Sequence, residues 1–197
     1  METTRYCTNN LAKFLHLSRL LRSGCRISIT HMLPPMLWEE GDDAAENARL
    51  KAIIGSRATR EFILASDESV RIAGVTEECQ PRARIRRCVA DDATDIEVAS
   101  YYSKLLWSLP ESARTAHLVT HFALARCGEV VGEVAITSVL ELRVPAYERF
   151  IPRRPLSAFH YVQEFSKYYV ELADEEMPQE DRALQSAACQ FLRSLVT

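Results

Sequence analysis

Leu11, Phe14, Leu15 and Leu21 recur at helical spacing, with Asn9 or Asn10 available as an N-cap and Gly24 just past the last turn, so the pattern predicts a helix over 10–22. Ile27 and Ile29 then alternate with polar neighbours over 26–30, which suits a short strand. Pro34-Pro35 breaks regular structure there, and Trp38 is expected to anchor the turn. A second helix is expected over 42–54, opened by Asp42 and Asp43 at its positive end and closed by Gly55. Residues 59–65 extend that helix or form a strand, and 69–75 form a further strand. The polar stretch before Pro81 marks a boundary, giving an N-terminal subdomain over 1–80 and a domain over 81–197.

In the second half, 84–89 reads as a strand, Asp91-Asp92 as a helix start and 93–106 as an amphipathic helix ending before Pro110. Residues 117–126 and 130–140 are strand-like, and Cys127-Gly128 between them supplies the positive φ of a tight hairpin. Residues 145–155 are irregular, 159–172 alternate like a strand, and Pro178 suits the first turn of a last helix. That helix has one apolar face, formed by Leu184, Ala187, Ala188, Phe191, Leu192 and Leu195. The order predicts an α+β fold, with a central, mostly antiparallel sheet of about five or six strands, flanking helices and an N-terminal helical extension.

Charge and cysteines narrow the function classes. A net charge of −3 and a pI near 6.0 argue against a general polyanion binder, so nucleic acid is not an expected partner. Cys7, Cys25, Cys79, Cys88, Cys127 and Cys189 form no CxxC or Cys/His pair, and are read as reduced thiols of an intracellular, cytoplasmic protein. No apolar run approaches the ~20 residues of a membrane-spanning helix. The first 38 residues hold Arg5, Lys13, Arg19, Arg22 and Arg26 against Glu2 alone. That bias fits either an amphipathic first helix or an organellar transit peptide. His117 and His121 stand four apart without a neighbouring acid or cysteine, so no metal site is expected, and His160 is a candidate base.

The run Ile85-Arg86-Arg87-Cys88-Val89-Ala90-Asp91-Asp92-Ala93 resembles the opening strand and helix start of acetyltransferase-type domains. Ala125-Arg126-Cys127-Gly128-Glu129-Val130-Val131-Gly132-Glu133-Val134 resembles their central hairpin, and Tyr147-Glu148-Arg149-Phe150 an acidic and aromatic segment. Glu164-Phe165-Ser166-Lys167 resembles the Glu-x-Ser-Arg strand of the acyl-homoserine-lactone synthase and N-acyl amino acid synthase branch of that superfamily. The resemblance covers about residues 84–196. It implies transfer of an acyl group from a thioester, acyl-CoA or acyl carrier protein, to an amine, with no tightly bound cofactor. Glu164 would be the base, assisted by Ser166 and Lys167. The coenzyme-gripping glycine turn is absent and Lys167 replaces the arginine, so a degenerate relative is also expected. The alternative is a non-enzymatic adaptor docking through its basic N-terminus and through Arg149, Arg153 and Arg154.

Overall fold

The computed structural model describes residues 4–35, 41–173 and 175–195, so Trp38 lies outside the described residues. In chain order the elements are β1 (Thr4–Cys7), α1 (Leu11–Cys25), β2 (Ile29–Met32), α2 (Ala44–Thr59), β3 (Phe62–Ile72) and α3 (Asp95–Ser108). They continue with β4 (Thr115–Arg126), β5 (Glu129–Leu142), β6 (His160–Val162), β7 (Lys167–Tyr168) and α4 (Gln179–Leu195). The strands form one sheet in the order β2-β1-β3-β4-β5-β6-β7. β1 pairs in parallel with both β2 and β3, whereas β6 pairs antiparallel with β5 and β7.

This mixed sheet corrects the expected acetyltransferase-like, mostly antiparallel one. The cause lies at the N-terminus, where the expected helical extension is instead a strand-helix-strand unit with β1 inside the sheet. The expected strand over 84–89 is a run of turns, with Tyr102 donating to the Ile85 carbonyl at 3.0 Å and the Cys88 amide to Arg84 at 2.8 Å. The alternation over 159–172 yields only β6, a turn, β7 and a short 3-10 turn.

The chain packs as two units. One comprises Met1–Glu68, Val119–Ile136 and Asp181–Thr197. Its larger core joins Tyr6, Leu17, Leu21 and Ile29 to Leu64, Phe122, Leu124 and Leu192. A second layer of small residues, Cys7, Ala48, Ala52, Ala65 and Ala123, lets α2 lie close on β3. Gly55 is part of that fit, because a Cβ there would stand 2.9 Å from the Ile63 side chain. Cys25 and Cys189 are disulfide-bonded, with Cα atoms 5.8 Å apart, which corrects the reading of six reduced thiols; Cys7, Cys79, Cys88 and Cys127 are free. β4 and β5 turn tightly through Cys127 (φ 53°) and Gly128 (φ 86°), as the sequence pattern predicts.

The other unit comprises Ser69–Leu118 and Thr137–Glu180. Val70, Ile72, Val98, Tyr102, Leu106 and Phe159 form its core. α3 enters this unit through a reciprocal cap between Thr94 and Glu97.

Candidate functional site

Charged and polar groups are gathered in one place in the first unit, beyond the carboxyl end of β1. Cys7 lies opposite Ala65, so Thr8 leads into α1 while Ser66, Asp67 and Glu68 continue β3 past the end of its neighbour. Ligands of sheets with parallel strands commonly bind at such a place, where strand ends and helix N-termini converge. Asn10 caps α1, its Oδ1 accepting from the amides of Ala12 (3.1 Å) and Lys13 (3.3 Å). Lys13 therefore sits on the first turn of α1, at the positive end of the helix.

α2 supplies the second half of the cluster. Its buried stripe, Ala44, Ala48, Ala52 and Gly55, is interrupted by Asn47 and Lys51, which are only 1% and 7% exposed. Lys51 Nζ lies 3.3 Å from Asp67 Oδ1, and Lys13 Nζ lies 3.7 Å from the same oxygen and 3.4 Å from Glu68 Oε2. Asn47 Nδ2 donates to Asp67 Oδ2 at 2.8 Å. Beside them the buried Tyr6 hydroxyl meets Ser66 Oγ at 2.5 Å, and burial pushes that phenol up to about 12. Burial likewise pushes the Cys7 thiol up to about 11, which keeps it an inert core group.

Two ammonium groups and two carboxylates beside the first turn of α1 form a set with the chemistry to take a polyanion. The ammoniums match phosphate oxygens. The carboxylates are hard oxygen donors for a divalent cation of the Mg²⁺ kind. Among the described residues no three His, Cys, Asp or Glu side chains converge on a metal position. Asp67 and Glu68 still fit such an ion, because Mg²⁺ is usually held by one or two carboxylates with water and substrate phosphates completing its shell.

The residues singled out from the sequence lie in the second unit. Glu164 and Ser166 fall on the turn between β6 and β7, where both are exposed, instead of on a strand. Glu164 lines a cavity of about 760 Å³ with His160 and Glu180. His160 is committed there to a 2.9 Å pair with Glu180 and stacks on Tyr169. Lys167 pairs with Glu176 at 2.7 Å. Arg149 lies over the Tyr147 ring, the Arg153 amide donates to Asp95 at 2.7 Å, and Arg154 takes part in a turn with Ile151. His117 is exposed on β4. Sequence reasoning did not find Lys51, Asp67 and Glu68. Their signal was a lysine and an asparagine on an otherwise small and apolar helix stripe, followed by two acids inside a β-rich run.

The Ham1 family model matches residues 5–139, well over half of the chain. No curated sequence relative matches. Among solved structures, a HAM1 protein from Coxiella burnetii superposes with a TM-score of 0.75 at 20% identity, covering 98% of this chain and 100% of that one. The Ham1 protein of Staphylococcus aureus gives 0.72 at 18% identity, with coverages of 98% and 99%. A protein from Mycobacterium abscessus described as a nucleoside-triphosphatase, dITP/XTP pyrophosphatase, gives 0.61 at 20% identity, with coverages of 99% and 98%. These findings overturn the resemblance to acyl-homoserine-lactone and N-acyl amino acid synthases. With it go acyl transfer, its acyl-CoA or acyl carrier protein donor, and the adaptor alternative. What misled was a short hairpin and a four-residue motif, features that unrelated sheets share.

Proposed function

Because the chain belongs to the Ham1 family, we propose that it hydrolyses non-canonical nucleoside triphosphates, of the inosine and xanthosine type, to the monophosphate and pyrophosphate. The observation that carries this reading is the Lys13, Lys51, Asp67 and Glu68 cluster at the N-terminus of α1. Family membership and the description of the Mycobacterium abscessus relative support the reaction class.

In this reading the triphosphate enters with its oxygens toward Lys13 and Lys51, beside the positive end of α1. The two ammoniums then exchange their carboxylate contacts for phosphate contacts. That exchange releases Asp67 Oδ1 to orient a water and take its proton as the water oxygen bonds to the α-phosphorus. The bond from the α-phosphorus to the bridging oxygen breaks, and pyrophosphate leaves. A divalent cation held by Asp67 and Glu68 would supply charge neutralisation on the leaving phosphates. Lys13 and Lys51 hold the remaining negative charge, and the buried Asn47 amide keeps the Asp67 carboxylate from rotating. The partner is thus a small-molecule nucleotide. No helix among the described residues is long and apolar enough to cross a membrane.

The test is pyrophosphate release from dITP, XTP, dATP and dGTP in Mg²⁺, with and without chelator. The inosine and xanthosine nucleotides should be cleaved fastest and chelation should stop the reaction. Asp67→Asn should lower kcat by about 10²–10⁴-fold, the range for a lost general base. Lys51→Met should act on KM as well as kcat. Absence of pyrophosphate with every nucleotide would overturn the reading.

A further inference from the structure

Asn47 is the most buried polar side chain of the cluster, and its hydrogen bonds decide how Asp67 is presented. Its Nδ2 donates both hydrogens, one to Asp67 Oδ2 at 2.8 Å and one to the Gly41 carbonyl at 3.0 Å. Its Oδ1 accepts from the Gly41 amide at 2.8 Å. The orientation of the amide is unambiguous, since the Gly41 N–H only donates and an ionised carboxylate only accepts. With Oδ2 held in this way, Oδ1 is the oxygen that faces Lys51 (3.3 Å) and Lys13 (3.7 Å). The two oxygens of one carboxylate thereby receive different roles, and Gly41, preceding α2, is tied to the same amide.

We infer that Asn47 is a positioning residue for Asp67: it immobilises Oδ2 so that Oδ1 alone is presented to the reacting water, and it links that presentation to the backbone at Gly41. This rests on the nucleotide-hydrolysing reading of the site. The hydrogen bonds of the Asn47 amide go to Gly41 and Asp67, so its effect travels through Asp67. Without the amide, the carboxylate rotates about its last torsion and offers either oxygen to either ammonium. Misplacement of a reacting group by about 1 Å costs on the order of 10²-fold in rate.

The experiment uses the full chain and two variants. Asn47→Asp keeps the size of the side chain and the acceptor for the Gly41 amide but loses the donor to Asp67, and Asn47→Ala removes all three bonds. Both should lower kcat for dITP by about 10²-fold with KM within about threefold, at a temperature where circular dichroism shows the variants folded. In an Asp67→Asn background, Asn47→Ala should lower kcat no further. A fall in melting temperature with kcat unchanged would make Asn47 merely structural and overturn the inference, as would multiplicative losses in the double variant. A second readout is independent of turnover. The melting-temperature losses of Asn47→Ala and Asp67→Ala should be less than additive when combined, because each variant removes the same Asn47–Asp67 hydrogen bond. If the wild-type chain releases no pyrophosphate, the functional reading fails and this cycle alone decides. Additive losses there would remove the link between the two residues.

Discussion

Tyr6 is 1% exposed, and its phenol stands at about 12 because burial outweighs the favourable Lys13 charge and the Ser66 hydrogen bond. A phenol in water titrates near 10.0. Between those values the native state keeps a proton that the unfolded chain has lost, so the unfolded state binds fewer protons and stability falls as pH rises. The contribution is intact below pH 10 and disappears at about 1.4 kcal/mol per pH unit on the way to 12. Tyr6→Phe should cost about 1 kcal/mol below pH 10, through loss of the Ser66 partner, and should lack this alkaline decline. Urea unfolding of both proteins from pH 8 to 11.5 measures the difference. It should shrink above pH 10, and parallel stability curves across that range would contradict the assignment.

At the scale of elements, the bridge between Cys25 at the end of α1 and Cys189 in α4 ties together residues 164 positions apart. Reduction, or Cys189→Ser, should lower unfolding free energy by about 2–4 kcal/mol, measurable as a fall in melting temperature on adding dithiothreitol. An unchanged transition would show that the two thiols carry no crosslink in solution. The helices and the β4-β5 hairpin could be read from the sequence because each repeats its own period long enough to be seen. β1 could not. Its four residues, Thr-Arg-Tyr-Cys, show no alternation, since Tyr6 and Cys7 are both buried in a strand with neighbours on each side. β3 reads as two separate pieces, 59–65 as a helix extension or a strand and 69–75 as a strand, because Ser66, Asp67 and Glu68 look like a break between apolar runs. The interruption that hid the strand is the candidate site itself. Local rules fail where chemistry needs polar groups in an apolar setting, and the same holds for Asn47 and Lys51 on α2.

For the whole molecule, the decisive feature is that the first unit is assembled from three separated stretches of chain. Phe122, Leu124 and Ile136 from β4 and β5, and Leu192 from α4, share their core with Tyr6, Leu21 and Leu64. A fragment of residues 81–197 retains the former group without the latter and should fail to unfold cooperatively. Calorimetry of the fragment beside the full chain checks this, and a sharp transition in the fragment would show that it folds alone. The same arrangement sets a schedule for protein synthesis. Every residue of the Lys13, Lys51, Asp67 and Glu68 cluster is translated before α4, the helix that packs against the core beside them. A nascent chain halted before Asp181 would carry the full set of charged groups while Tyr6, Leu21 and Leu64 lacked the α4 side of their core. The charged groups thus exist before the packing that steadies their surroundings, and the core of the first unit is filled only once α4 has emerged.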